Sequence, residues 1–260
     1  MRIEFLTQED SLYTLPFFEE LFRISTDVDI VHVSCCPIMG ERPRSQLARE
    51  LLWLYGPAGF ARLCSRYVAS RCLSRLRRPR NARRYYSIQQ LCQSYSVSFE
   101  SIQNPNSEDF ISQILSRGSD MIVSVACPYI LKRRLLSTPP MGCINLHHAL
   151  LPRYRGMMPT FWQLYNGERS VGLTIHYMTE KLDEGGCLLQ ETLDIDPTET
   201  LDELIRRSKK RAARSLVRVL GQLESGAPVP VTLAGKEGSY FTFPSRQQIR
   251  EFHCKGLRAI

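Results

Sequence analysis

Residues 121–126, Met-Ile-Val-Ser-Val-Ala, form a short run that is apolar but for Ser124. A run of that length buries both faces of a strand, as in parallel strands covered by helices on either side. Around it, strand-like and helix-like stretches alternate. Strands are expected at 2–7, 29–34, 97–99, 121–126 and 142–146. Helices are expected between them at 11–23, 42 to about 78 with a break at Gly56-Pro57, 87–95 opened by a Ser87 cap, 107–115 and 129–136. Further on come a helix at 160–166, strands at 171–178 and 187–193, a helix at 200–223 with Gly167 and Gly226 marking helix ends, a strand near 240–242 and a helix after Ser245. This alternation predicts an α/β fold with a Rossmann-like, mostly parallel sheet and helices on both faces.

The chain has 260 residues, 43% of them apolar. That predicts one main domain over 1–227, carrying an insert at about 42–86, and a short α/β tail over 228–260 packed on it. No apolar run reaches the roughly 18 residues a membrane helix needs. Glu4 interrupts the apolar start, so the N-terminus reads as a first strand and not as a secretory leader. The nine cysteines are odd in number, scattered and free of any Cys-x-x-Cys pair. Reduced thiols and a cytoplasmic setting are expected. No Gly-x-Gly-x-x-Gly follows the first strand and no phosphate loop is present, so neither nicotinamide nor ATP is expected. Metal-binding His-x-x-x-His spacing on a helix is absent too, and no metal is expected.

Chemistry concentrates after the strand at 142–146. Asn145-Leu146-His147 sets an amide and an imidazole two residues apart, on one face of a strand. Asp183 follows one strand-turn-strand later, in Leu182-Asp183-Glu184-Gly185-Gly186. An amine attacking an acyl carbon makes a tetrahedral oxyanion and must lose a proton. The Asn145 amide and a protonated His147 suit the oxyanion, at roughly 3–4 kcal/mol per donor. Asp183 suits the proton, and a carboxylate beside His147 favours the imidazolium. Taken singly, Asn145 reads as a loop former, Asp183 as a turn former and His148 as a solvated or hydrogen-bonded strand-end residue.

The ordered set Asn145-Leu146-His147, Ala149-Leu150-Leu151-Pro152-Arg153-Tyr154-Arg155-Gly156 and Asp183-Glu184-Gly185 resembles the folate-dependent formyltransferases. That group includes methionyl-tRNA, glycinamide ribonucleotide and sugar N-formyltransferases. The likeness runs from about residue 120 to 208 and more loosely beyond. It implies the formyltransferase fold, 10-formyltetrahydrofolate as formyl donor, and Asn145, His147 and Asp183 as catalytic residues. It also implies that the pterin lies between two loops, Tyr129-Ile130-Leu131 and Met178-Thr179-Glu180 through Leu182, and is read largely by backbone groups. Lys132 stands where several relatives have proline.

The resemblance further implies a small-molecule primary amine as acceptor. A full tRNA-binding barrel has no room after Pro244, and the length suits the group acting on amino sugars, free, nucleotide-linked or lipid-linked. A methionyl-tRNA formyltransferase-like activity and a non-catalytic membrane- or nucleic-acid-binding protein of the same fold are the alternatives; hydroxymethyl transfer uses much the same residues. Phe161, Trp162 and Tyr165 read either as a stacking platform or as a buried helix face. The family does not account for the arginines. Between Glu50 and Glu100 there are nine, Arg62 to Arg84, and no acidic residue, so this segment supplies +9 of a net +8. An anionic lipid surface with peripheral membrane attachment, a phosphate-bearing partner, or a solvated flap are the readings, and no single amphipathic stripe is evident.

Overall fold

The computed structural model describes residues 1–25, 28–38, 42–226, 230–232 and 237–260. The boundary expected at 227–228 lies outside the described residues. Seven strands make the main sheet: β1 (Arg2–Gln8), β2 (Asp29–Cys36), β3 (Ser98–Ser101), β4 (Met121–Val125), β5 (Cys143–His147), β7 (Ser170–Tyr177) and β8 (Cys187–Asp194). Their order is β3-β2-β1-β4-β5-β7-β8. The first five run parallel, while β7 is antiparallel to both β5 and β8. Between β5 and β7 lies the two-residue β6 (Arg155–Gly156), paired with β9 (Tyr240–Phe241) of the tail.

The apolar run at 121–126 behaves as its composition demands. Met121, Val123 and Val125 face a core with Phe17, Phe18, Leu216 and Val219, while Ile122 faces a second core with Phe110, Leu131 and Leu135. The first core is covered by α1 (Leu15–Ile24) and α7 (Leu201–Glu224), the second by α4 (Glu108–Arg117) and α5 (Arg133–Leu136). In α7, Thr200 and Glu203 form a reciprocal capping box, an N-cap worth about 1 kcal/mol.

A further core gathers α2 (Arg44–Leu73), α6 (Pro159–Tyr165) and α8 (Arg246–Cys254), with Leu54, Phe161, Trp162 and Phe252 at its centre. As expected, α2 breaks at Gly56-Pro57: Gly56 takes φ 65° and ψ 173°. Among the described residues no helix is long and apolar enough to cross a membrane.

Two helices start later than expected. Residues 11–14 turn instead of opening α1, because the Asp10 carboxylate accepts the amides of Leu12 (2.8 Å) and Tyr13 (3.1 Å), and Pro16 then starts the helix. Such an aspartate competes directly with helical hydrogen bonds. Residues 129–132 are likewise non-helical. The Asn106 side chain donates to Ile130 O at 3.0 Å and accepts from Lys132 N at 2.8 Å, and α5 begins only at Arg133.

Candidate active site

On β5, Ile144 and Leu146 point into the core under α1 and α7, so Asn145 and His147 point to the opposite face with Cys143. Across the antiparallel ladder, Asn145 lies opposite His176 and His147 opposite Thr174. Directly opposed residues share a face of the sheet. Asn145, His147 and His176 therefore meet at the carboxyl end of β5, beside Thr174.

The turn between β7 and β8 brings the fourth. Asp183 takes φ 55°. Two residues on, Gly185 approaches the Tyr177 carbonyl so closely that a Cβ there would lie 1.7 Å from its oxygen. This tight packing turns the carboxylate back over the strand ends. Asp183 Oδ2 lies 3.7 Å from His147 Nδ1 and accepts the Gly156 amide at 3.1 Å; Oδ1 lies 3.7 Å from His176 Nε2. Both imidazole distances exceed a hydrogen bond, which leaves Asp183 a proton acceptor poised between two rings. Asp183, His147 and His176 are buried and Asn145 is half-buried.

The loop 148–156 fixes the other side. Its Leu151-Pro152 peptide is cis. Thr174 Oγ1 donates to Ala149 O at 2.6 Å and accepts from Leu151 N at 3.1 Å, and Gln190 donates to Leu151 O at 2.7 Å. Tyr154 O lies 2.8 Å from His147 Nε2. A carbonyl only accepts, so Nε2 carries the hydrogen and Nδ1 is the nitrogen left for chemistry. The expected donation from His147 to an oxyanion therefore has to come from Nδ1.

His176 is the residue sequence reasoning missed. Burial pushes it down to about 4; Asp183 opposes the fall and His147 adds to it. It is neutral near neutral pH. Its Nδ1 donates to Tyr177 O at 2.8 Å, so Nε2 bears the lone pair and accepts from Asn145 Nδ2 at 3.3 Å. This holds the amide plane and leaves its second hydrogen for a substrate oxygen. The available signal was a histidine two residues after Thr174 in a mostly apolar strand, but its meaning depends on cross-strand register.

The expected donor loops come together. Tyr129 and Met178 pack on the same core, with Leu131 buried in it. Ile130 and Leu182 remain 63% and 41% exposed, while Thr179 and Glu180 are exposed. The two loops thus offer apolar side chains on anchored backbone. One expectation fails, and one pair of alternatives is decided. His148 is neither solvated nor hydrogen-bonded: it is buried on the opposite face, both ring nitrogens unpartnered. Burial drives it well below the usual imidazole range, with Lys209 pushing the same way. Phe161 and Trp162 are buried among Phe241 and Phe252, so they are no substrate platform; β9 and α8 of the tail cover them.

Among the described residues, one group of possible metal ligands stands apart from this centre: Glu4, His32 and Glu100. Arg117 already bridges both carboxylates at 2.7 Å, supplying the positive charge a cation would.

The fold and the centre define a group-transfer protein of the Rossmann-like α/β class, with an amide, two imidazoles and a carboxylate at the strand ends. A family profile described as formyl transferase matches residues 73–220. The chain belongs to the formyl transferase family. It is 34% identical over 153 residues to the methionyl-tRNA formyltransferase of Trichlorobacter lovleyi, covering 59% of this chain and 48% of that protein. The chain thus spans about half the length of this curated relative. Its fold is similar to a sugar N-formyltransferase from a Shewanella species (TM-score 0.56, 20% identity, 93% of this chain and 76% of that one). It is also similar to a glycinamide ribonucleotide transformylase from Symbiobacterium toebii (TM-score 0.60, 15% identity, 88% and 90%).

Proposed function

We propose that this chain transfers a formyl group from 10-formyltetrahydrofolate to a primary amine of a small molecule, with an amino sugar, nucleotide-linked or lipid-linked, as the acceptor class. The observation that carries the reading is the convergence of Asn145, His147 and Asp183 at the strand ends. Segments 129–131 and 178–182, anchored by Tyr129 and Met178 in one core and exposing Ile130 and Leu182, are the surfaces that would take the donor's flat heteroaromatic ring. The donor, when bound, supplies an activated formyl carbon.

The side chains then divide the work. The Asn145 hydrogen not used by His176 stabilises negative charge growing on the formyl oxygen. His147 does so from Nδ1 as the imidazolium, because Nε2 is committed to Tyr154. Asp183 takes the proton from the attacking nitrogen, directly or through a water, and its Gly156 hydrogen bond keeps it aimed.

The sugar acceptor is supported by fold similarity over 93% of this chain to a sugar N-formyltransferase. A methionyl-tRNA acceptor is the second reading, favoured by the 34% identity to an enzyme of that name. The complete set of polar groups argues against a non-catalytic binding protein.

The test is calorimetric titration with 5-formyltetrahydrofolate, a stable analogue of the donor, followed by formyl transfer assays on amino-sugar, nucleotide-sugar and tRNA acceptors. One-site saturable binding and turnover on an amino sugar are expected. No binding at millimolar ligand overturns the donor, and turnover on tRNA alone overturns the acceptor.

A further inference from the structure

We propose that the second segment of α2 docks this protein on an anionic phospholipid surface. The inference concerns a face remote from the transfer chemistry and does not depend on which acceptor is used.

The helix after Pro57 is two-faced in a way the sequence did not make plain. Gly59, Leu63 and Ser70 are buried, at positions i, i+4 and i+11. Their backing is specific: a Cβ at Gly59 would lie 2.8 Å from Ile260, and Ser70 donates to Tyr86 O at 2.6 Å. On the opposite side Ala61, Ser65, Val68 and Cys72, again at i, i+4, i+7 and i+11, are exposed. At 100° per residue these four form a single outward crest. It holds no charge and one hydroxyl. Val68 is 59% exposed there, and Leu76, in the turn after the helix, is 53% exposed.

Arginines flank this crest. Arg62 lies on one side and Arg71 on the other, while Arg75 and Arg77 follow beyond the helix end at Leu73, all exposed. Arg71 pairs with Glu9 at 2.7 Å. No ion pair with a described residue is formed by Arg62, Arg75, Arg77, Arg80 or Arg83. At the foot of the helix lies a cavity of about 440 Å³ lined by Arg77, Arg78, Gln90, Gln93 and Ser94, and the buried Nε of Arg78 has no partner.

An apolar ridge with Arg62 beside it and the unpaired Arg75 and Arg77 beyond its end matches the boundary between headgroups and acyl chains. Arginine stems lie along the apolar layer while their guanidinium groups stay at phosphate depth. The cavity beside Arg78 offers one headgroup phosphate a seat. Nucleic acid would reward the arginines but not the exposed Val68 and Leu76, so lipid is the occupant the surface fits best.

Co-sedimentation of the full chain with vesicles tests this. Vesicles of phosphatidylcholine are compared with vesicles in which one third is replaced by phosphatidylglycerol. Strong preference for the anionic vesicles is expected, weakening as salt rises. Arg75→Gln with Arg77→Gln should weaken binding by about fivefold for each arginine. Val68→Gln with Leu76→Gln leaves the charge unchanged and should weaken it roughly tenfold. All these residues are exposed, and an unchanged 5-formyltetrahydrofolate titration or melting temperature reports that each variant is folded.

Three outcomes overturn the proposal: no vesicle binding, equal binding to neutral vesicles, or full binding by the Val68/Leu76 variant. Displacement from vesicles by a short RNA duplex that the Val68/Leu76 variant binds as well as the parent assigns the face to nucleic acid instead.

Discussion

Asp183 turns one oxygen toward each of two imidazoles, and this makes its chemistry separable from its structure. Asp183→Asn keeps an oxygen for the Gly156 amide but removes the proton acceptor. Turnover should fall by about 10²–10⁴-fold, with donor-analogue affinity unchanged. A variant that still turns over at the parent rate would refute the assignment. His176 lends itself to a different experiment. Its folded-state value near 4 lies below the usual 6.5, so between those values the unfolded chain binds the extra proton. The neutral buried ring favours folding fully above pH 6.5, and that contribution is lost as pH falls toward 4. At pH 5 the loss from this residue is about 2 kcal/mol. His176→Leu should therefore show a smaller drop in melting temperature between pH 8 and pH 5 than the parent. It should also lower kcat roughly tenfold, because Asn145 loses the acceptor that orients it. An unchanged kcat would leave His176 a packing residue.

The turn between β7 and β8 shows how an element can dictate geometry through one missing methyl group. Gly185→Ala places a carbon against the Tyr177 carbonyl, and the turn must open. A shift of about 1 Å at Asp183 costs on the order of 10²-fold in rate, and overpacking costs about 1–3 kcal/mol in stability. Paired turnover and melting measurements should show both, and a Gly185→Ala protein with normal kcat would contradict the link between turn and site. Elements also mark what was readable beforehand. Asn145, His147 and Asp183 were visible because their spacing is local or motif-bound. The apolar run at 121–126 announced a strand buried on both faces for the same reason. The start of α1 and the non-helical segment 129–132 were not visible, since each is set by one side chain, Asp10 or Asn106, that captures backbone hydrogen bonds. His176 needed the β5–β7 register, and the burial of Trp162 needed β9 and α8, many residues away.

At the scale of the whole molecule, α2, α6, the start of α7 and α8 share a core that lies outside the main sheet. Phe252 stacks on Phe161 there at 4.8 Å. Phe252→Ala should cost about 3–5 kcal/mol, read as a shift of the denaturant midpoint; a loss below 1 kcal/mol would mean that the tail merely leans on the body. The same tail supplies β9, whose ladder with β6 places Gly156 where its amide meets Asp183. A chain leaving the ribosome from its N-terminus presents β5 and the carboxylate turn first. Residues 240–241 follow only much later. The strand that seats the carboxylate's partner thus arrives after all seven strands of the main sheet, so the nascent protein completes that sheet before it completes its active site.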